Sequence, residues 1–389
     1  MKLFDAHCHL QDPRIFHKAP QLIATTVNSG VLHFAVNGVS EEDWNLVKDM
    51  SERHPSVIPC FGVHPWFVQE RTPNWFSTLK EFFEITPAAA VGEIGLDKGS
   101  KGREIDFMDQ VGVFRQQLEL AKELKRPASI HCVRAFGDLL EIMKSVGPFP
   151  DGVIIHSYLG SAEMVPELSK LGAYFSFSGF LMSMKAQKAK KMLKVVPSER
   201  ILLETDAPDA LPKAELNSLF LVDGDPSLPQ ELSAKEEHSP NVGSASDNQF
   251  HASKDSSTLP KETLNHPANI HNVLDYVASL LDMTKEELAE LSYRNAIRLF
   301  SYEGIVFLNV NDLIIWRDKV TIQPFFGFTS YKHEIMSQNF IIYRDGNGLD
   351  LIQDPCDPNP IGSDLNRFKM DLDRIWISMC GSKTDLEQI

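Results

Sequence analysis

Three features that would assign this chain to a particular class of protein are missing from its sequence. Its five cysteines are scattered, odd in number and never spaced as Cys-X-X-Cys, which argues against a disulfide framework. No apolar run approaches the ~20 residues that cross a membrane. The first predicted strand begins at the initiator methionine and leaves no room for a signal peptide. We therefore expect a cytoplasmic protein.

Net positive charge is also missing. The 389 residues carry a formal charge of −15, which argues against a protein that holds nucleic acid through a broad basic surface. A nucleic-acid substrate is still compatible with this charge, because divalent cations in a cleft supply a positive field locally. The hydrophobic content of 43% is ample for a globular core.

The chain is organised around Asp5-Ala-His-Cys-His9, which directly follows an apolar start. A short strand with imidazoles at positions i and i+2 sends both rings to the same side, as a pair of metal ligands requires. On this motif alone, His7 and His9 fit equally well as core histidines. Four more ligand-type residues at the ends of other predicted strands favour a metal site: Glu93, His131, His156 and Asp206.

Apolar runs alternate with helical patterns along the first 200 residues and beyond. Eight runs are predicted to be strands, starting near Leu3 and covering 33–39, 57–64, 89–97, 128–133, 152–158, 173–178 and 201–206. This alternation predicts an α/β protein with a closed parallel (β/α)8 TIM barrel. Catalytic groups of such barrels lie at the C-terminal ends of the strands, where every candidate ligand falls.

Helix signals agree with this architecture. Ser40 is predicted to cap a helix that runs to about His54, and further helices are predicted over 75–85 and 269–281. Thr284 and Glu287 fit a capping box before a helix that ends near Phe300.

The composition changes twice outside the predicted barrel domain of residues 1–304. Residues 215–263, rich in Ser, Pro, Asp, Glu and Asn, are predicted to be a mobile insertion, and we prefer a solvated linker to a cover over the site. Residues 305–389 form a C-terminal extension with strand-like runs at 312–316 and 339–343 and an irregular run at 354–360. The extension fits an accessory module, an extra layer on the barrel or a poorly ordered tail, and we favour the tail.

Four imidazoles and two carboxylates suit a borderline or hard divalent ion. Six ligands exceed the three usual in a mononuclear catalytic zinc site, so we predict two ions that share a bridging carboxylate, Glu93. His7, His9 and Asp206 are assigned to one ion, and His131 and His156 to the other. Asp206 is also a candidate to accept a proton from the attacking water. The choice among Mg, Zn and Mn stays open.

Other residues near the predicted site have a functional and a structural interpretation. His64 fits contact with a phosphate or proton transfer, and equally a strand-end hydrogen bond. Arg134 fits a phosphate fork or an ordinary ion pair. Trp66 and Tyr158 are candidates for base stacking, although packing is the more frequent role of such aromatics. Cys8 and Cys132 adjoin ligand histidines, where core packing is the commoner role of a thiol.

Residues 1 to about 300 resemble the TatD family of metal-dependent deoxyribonucleases, in the amidohydrolase superfamily. The resemblance lies in Asp5-Ala-His-Cys-His9, Gly62-Val-His-Pro65, Gly92-Glu-Ile-Gly-Leu-Asp97, Ile130-His131, His156-Ser157, Leu203-Glu-Thr-Asp-Ala-Pro208 and Asn295-Ala-Ile-Arg-Leu-Phe300. It implies a metal-binding barrel that hydrolyses DNA phosphodiesters, often from the 3′ end, with single-stranded DNA or 3′ ends as the substrate. It also implies the same six ligands.

The chain departs from the family pattern at Lys98-Gly-Ser-Lys101, where many relatives have an aromatic residue, and at Ser157-Tyr-Leu-Gly160, where Cys-Phe-Ser-Gly is usual. We therefore weigh three functions. The leading one is a 3′–5′ exodeoxyribonuclease. The second is a metal-dependent amidohydrolase that attacks an amide, ester or lactone. The third is a metal-stabilised binding protein without turnover.

Overall fold

A computed structural model describes residues 1–224 and 263–302, together with the backbone of five strands between residues 305 and 353. In residues 1–203, eight strands alternate with seven α-helices. The strands are β1 Leu3–Cys8, β2 Val31–Asn37, β3 Val57–Phe61, β4 Ala90–Asp97, β5 Ala128–Val133, β6 Val153–Ile155, β7 Ala173–Phe177 and β8 Ile201–Leu203. The helices are α1 Ala19–Asn28, α2 Trp44–Arg53, α3 Trp75–Ile85, α4 Phe107–Leu124, α5 Phe136–Val146, α6 Val165–Lys170 and α7 Ala186–Leu193.

The eight strands form one parallel sheet in sequence order, from β1 to β8. Backbone hydrogen bonds join the segments that follow the first and last strands: Asp206 N donates to His7 O at 3.0 Å, and His9 N donates to Ala207 O at 2.7 Å. These bonds bring the two edges of the sheet together. The predicted (β/α)8 barrel is therefore confirmed.

Amphipathic helices cover the strands because their apolar residues recur at helical spacing. In α3, whose bounds agree with the prediction, Trp75, Leu79 and Phe83 lie four residues apart and are all buried. In α4, the Asp106 carboxylate caps the helix by accepting the backbone N–H of Asp109 at 2.8 Å. These contacts make one continuous core around the barrel.

Two helices, α8 Ile270–Leu281 and α9 Lys285–Phe300, complete the described part of the barrel unit. The predicted capping box of α9 is present: Thr284 Oγ1 accepts the N–H of Glu287, and the Glu287 carboxylate accepts the N–H of Thr284.

The prediction for the N-terminus of α2 is wrong. The helix begins at Trp44, and Ser40 lies in the turn before it. The Asp43 carboxylate accepts the backbone N–H groups of both Val39 and Ser40, so it organises this turn. The Asp43 carboxylate is thus the side chain that accepts hydrogen bonds in this turn, and it takes the place that was predicted for Ser40.

Residues 215–224 of the predicted insertion are described by the structure. Strand β9, Leu221–Val222, pairs with β10, Leu264–Asn265, in an antiparallel ladder. The amide of Asn269 also bonds the backbone of Phe220 in both directions, at 2.9 and 2.7 Å. Residues 215–224 therefore belong to the barrel unit, and the rest of the predicted insertion, 225–262, lies outside the described residues.

Residues 303–389 form a second unit. Its described backbone contains β11 Ile305–Leu308, β12 Leu313–Trp316 and β13 Lys319–Val320 in one antiparallel sheet, and β14 Phe340–Asp345 paired with β15 Gly348–Gln353. The two runs predicted as strands in this region thus form strands, and residues 354–360 lie outside the described part. Within the described residues, no helix combines the length and apolar character that crossing a bilayer requires.

Candidate metal centre

Seven side chains from six strands converge at one end of the barrel. Six of them lie in the last three residues of a strand or within three residues after it: His7 and His9 at β1, His64 after β3, His131 in β5, His156 after β6 and Asp206 after β8. Glu93 is the fourth residue of β4. This is the C-terminal face, where parallel barrels place their catalytic groups.

The Glu93 carboxylate lies at the centre of this group. Its Oε2 is 3.5 Å from His7 Nε2 and 3.1 Å from His9 Nε2. Its Oε1 is 3.0 Å from His131 Nδ1 and 2.8 Å from His156 Nε2. Asp206 Oδ1 lies 3.7 and 3.6 Å from the Nε2 atoms of His7 and His9. One carboxylate oxygen therefore faces each pair of imidazoles.

The local backbone is shaped to bring these groups together. Gly92 has a φ of 153°, and a Cβ there would lie 2.6 Å from the Asn37 side chain, so only glycine fits before Glu93. Asp206 itself has a left-handed φ of 54°. The Asp5 carboxylate accepts the N–H of Thr205 at 2.8 Å and also binds its hydroxyl, which ties the segment before Asp206 to β1.

Outer contacts determine which ring nitrogen of each histidine faces the cluster. His9 Nδ1 donates to the backbone carbonyl of Asn37 at 2.8 Å, so its Nε2 lone pair points inward. His7 Nδ1 lies 2.7 Å from Ser129 Oγ. His131 Nε2 lies 3.3 Å from Asp97 Oδ2, which leaves Nδ1 to face Glu93. Such outer partners orient metal-binding imidazoles.

His156 is backed by a second buried carboxylate, Glu204. Its Nδ1 atom is buried, has no hydrogen-bond partner among the described residues and lies 3.7 Å from Glu204 Oε1. Glu204 is held by the N–H of Ser157 at 2.6 Å, by the Ser157 hydroxyl at 2.7 Å and by the Ser176 hydroxyl. Burial opposes ionisation of Glu204, but its contact with His156 keeps its pKa below the ordinary value.

His64 has a different hydrogen-bonding environment from the other histidines. Its Nδ1 accepts the backbone N–H of Trp66 at 3.1 Å, so the proton of the neutral ring is on Nε2. That Nε2 lies 3.4 Å from Glu93 Oε1. A protonated nitrogen cannot ligate a metal, and although His64, Glu93 and His131 are close enough to form a three-donor group, this hydrogen bond makes His64 a donor.

The donor set fits divalent cations. His7 Nε2 and His9 Nε2 lie 3.1 Å apart, and two inward lone pairs at that distance repel unless a cation or a proton separates them. Despite the cost of burial, Glu93 and Asp206 raise the pKa of His9 to about 9, whereas burial and the His156 charge lower that of His7 to about 3. A proton on His9 thus occupies the position where a cation would fit, and a bound cation would displace it.

The carboxylates also differ in electrostatic environment. Burial raises the pKa of Asp206 to about 7. Burial acts on Glu93 in the same direction, but the surrounding imidazoles of His64, His156 and His7 hold its pKa well below its usual range. Glu93 is therefore the permanent negative charge of the cluster, and Asp206 is the carboxylate that can hold a proton.

Three residues predicted as possible substrate contacts have surroundings that differ from those of the residues around Glu93. Arg134 is exposed after β5 with a left-handed φ of 55° and makes no ion pair with any described residue. Tyr158 is fully buried and donates to Ser161 O at 2.8 Å, so base stacking on Tyr158 is excluded. The Trp66 ring is half-buried, with its Nε1 donating to Asp97 Oδ2 at 2.5 Å.

The thiols near the cluster are core groups. Cys8 is buried with its Sγ 3.7 Å from Ala35 O, and burial raises the pKa of both Cys8 and Cys132 above the ordinary value. Neither thiol joins a metal-binding group among the described residues. This agrees with the packing interpretation.

The sequence reasoning missed four supporting residues: Asn37, Asp97, Ser129 and Glu204. One signal was available for Ser129, because it lies two residues before His131 on the same strand and therefore faces the same side. Asp97 and Glu204 were part of the family-like motifs, but the partner of each is distant in sequence.

The sequence matches the family model described as TatD related DNase over residues 4–301. The chain belongs to this family. The resemblance based on the motifs is thus confirmed, and the match covers the whole described barrel except its first three residues and Tyr302.

Named relatives support the same assignment. The metal-dependent hydrolase YabD of Bacillus subtilis, whose function is uncharacterised, is 28% identical over 77% of this chain and 98% of its own length. The 3′-5′ ssDNA/RNA exonuclease TatD of Erwinia billingiae is 27% identical over 54% of this chain and 81% of its own length. The human 3′-5′ RNA nuclease TATDN2 is 37% identical over 42% of this chain and 22% of its own length.

Solved structures share the fold. The TatD homologue YJJV of Escherichia coli K12 superposes with a TM-score of 0.60 at 22% identity, covering 77% of this chain and 98% of that one. A TatD family hydrolase of Entamoeba histolytica gives 0.59 at 17% identity, with the same coverage. Family membership, the nuclease relatives and the metal-binding residues make this TatD family member a metal-dependent hydrolase that acts on phosphodiester bonds.

Proposed function

We propose that this enzyme uses two divalent cations, Mg, Zn or Mn, to remove nucleotides from the 3′ end of single-stranded DNA. The observation that carries the proposal is the position of Glu93, with one oxygen toward His7 and His9 and the other toward His131 and His156. This arrangement fits one cation on each side of a bridging carboxylate. Asp206 would complete the set on the His7 and His9 side.

Two such cations, about 4 Å apart, would activate a water molecule and neutralise charge at the reacting phosphorus. The protein supplies the proton transfers. Asp206, whose Oδ1 lies 3.7 and 3.6 Å from the Nε2 atoms of His7 and His9, would accept the proton of the attacking water. His64 presents an N–H at Nε2 beside Glu93, where it donates to a phosphate oxygen. The exposed Arg134, which directly follows β5, would fork onto a phosphate.

The names of two relatives support the polarity and the strand. The Erwinia protein is called a 3′-5′ ssDNA/RNA exonuclease and the human one a 3′-5′ RNA nuclease. RNA is therefore tested beside DNA. We keep cytoplasmic location as a prediction.

The test uses single-stranded DNA and RNA labelled at either end, together with amide, ester and lactone substrates. We expect strands labelled at the 5′ end to shorten stepwise from the 3′ end, and chelator to stop the reaction. His131→Ala is the inactive control, because it removes one donor from the Oε1 side of Glu93. Turnover of acyl substrates alone would favour the amidohydrolase function. DNA turnover no higher than that of the control would contradict the nuclease.

A further inference from the structure

The loop after β4, residues 98–106, begins at the metal centre. It follows Asp97, whose Oδ2 lies 3.3 Å from His131 Nε2, and Lys98 N donates to Val133 O at 2.9 Å. The loop therefore leaves the barrel beside the C-terminal ends of β4 and β5, which carry Glu93 and His131. A nucleic-acid strand that is bound at the metal centre and extends across this side of the barrel would contact the loop.

Lys101 of this loop is held over an aromatic ring of the site. Its ammonium lies 4.4 Å from the centre of the Trp66 ring. The same ring packs edge-on against His64, with centroids 4.8 Å apart. The two distances together place the Lys101 ammonium no farther than about 9 Å from the centre of the His64 ring. At a rise of ~3.4 Å per nucleotide, a distance of about 9 Å corresponds to at most about three nucleotides of a nucleic-acid strand.

Arg103 provides a second cation on the same loop. Its Nε donates to Lys98 O at 3.1 Å, which uses one of its five N–H groups and fixes the guanidinium against the loop. It lines an open cavity of about 390 Å³, whose other charged lining residues are Asp97, Lys98, Glu104 and Asp106. Both Lys101 and Arg103 are exposed.

Neither cation is neutralised by a carboxylate within the described part of the chain, whereas their neighbour Lys98 is paired with Asp138 at 2.7 Å. The same loop carries the exposed acids Glu104 and Asp106, so its unpaired positive charge is confined to Lys101 and Arg103, in a chain with a formal charge of −15. We call Lys101 and Arg103 the cationic rim.

We propose that the cationic rim binds backbone phosphates of a nucleic-acid strand beyond the phosphate that is cleaved. This inference rests on the proposed function and adds to it the residues that would hold the strand away from the cleaved bond. The ammonium and guanidinium groups of the rim are hydrogen-bond donors that suit phosphate oxygens. They are held in place by Trp66 and by Lys98 O. Contacts to backbone phosphates position a strand but do not read its base sequence.

The test compares two substrates of the full-length, metal-loaded enzyme: a single-stranded oligodeoxynucleotide and bis(p-nitrophenyl) phosphate. The variant is Lys101→Gln with Arg103→Gln. The matched control is Lys125→Gln with Arg294→Gln, which removes the same charge from exposed positions away from the site. Lys125 ends α4 before β5 begins, and Arg294 adjoins Asn295, whose side chain bonds carbonyls at the start of β8.

We expect the rim variant to lower the ratio of kcat/KM for the oligonucleotide to that for the small diester by about tenfold, mainly through KM. The slope of log(kcat/KM) against log salt for the oligonucleotide should become shallower by about 1.4, because each lost contact to a single strand removes ~0.7. The control should keep the wild-type ratio and slope.

If the wild type hydrolyses both substrates and the rim variant keeps the wild-type ratio and slope, the rim assignment alone is wrong. If the wild type hydrolyses neither substrate, the proposed function is wrong and the rim assignment is overturned with it. Equal changes in the rim variant and in the control would also overturn it, because they would show a general effect of net charge.

Discussion

Glu204→Gln tests whether the buried carboxylate behind His156 strengthens metal binding. The substitution keeps the shape of the side chain and removes its charge. Ser157 N–H can only donate, so the glutamine must keep its oxygen on that side and turn its NH2 toward the Ser176 hydroxyl, which can accept. The hydrogen-bond network therefore survives, and the change isolates the charge.

The expected magnitude follows from the separation of 3.7 Å between Glu204 Oε1 and His156 Nδ1. Two unit charges at this distance interact by about 4–5 kcal/mol at an effective dielectric constant of 20. We take this energy as an upper bound. Loss of an outer-shell partner typically weakens metal binding 10–100-fold, or about 1.4–2.8 kcal/mol. We expect a loss in this range for Glu204→Gln.

The assay is a competition titration of Mn²⁺ or Zn²⁺ against a chromophoric chelator. Glu199→Gln is the matched control, because Glu199 is exposed just before the opposite end of β8. Thermal melting in excess chelator checks that both variants fold alike. If Glu204→Gln binds metal as tightly as Glu199→Gln, the carboxylate has no role in metal binding. Asp97→Asn applies the same test to His131.

Three further predictions use the same structure. His64→Asn can still accept the Trp66 N–H, so it should keep the wild-type metal content and lose about 10²-fold in kcat; loss of metal on elemental analysis would make His64 a ligand. Burial lowers the pKa of His266 to about 4, so its stabilising contribution is complete above pH 6.5 and is lost as the pH falls toward 4. The side chain of His266→Asn can still accept the Ala268 N–H. Between pH 7 and pH 4.5, the free energy of unfolding measured by urea titration should therefore fall by roughly 1–3 kcal/mol less in this variant than in the wild type. Identical pH profiles of the two proteins would contradict this. Chelator should lower the melting temperature of the wild type by several degrees and leave that of His131→Ala less affected, because saturating metal adds about 3 kcal/mol to the folded state; equal shifts would contradict binding through His131.

Much of the fold and the convergence of the candidate ligands followed from local patterns. The two-residue period places His7 and His9 on one side of β1, and the barrel topology brings the ends of parallel strands together. These rules need no knowledge of distant contacts. The bounds of α3 and the capping box at Thr284 followed in the same way from helical spacing and cap chemistry.

What the sequence did not reveal depends on tertiary structure. The Ser40 cap was displaced by Asp43, whose carboxylate closes the preceding turn. Glu204 meets His156 across 48 residues of chain, and a buried acid has no local signal for its partner. The protonated nitrogen of His64 is identified only by the backbone N–H that its other nitrogen accepts.

The most direct test of the account is the divalent metal content of the desalted full-length chain, measured by elemental analysis for the wild type and for Glu93→Gln, with phosphodiesterase activity recorded on the same samples. We predict about two ions per wild-type chain, with fewer ions and little activity after Glu93→Gln. A wild-type chain that is metal-free and fully active, or a Glu93→Gln chain that binds as much metal as the wild type, would contradict it.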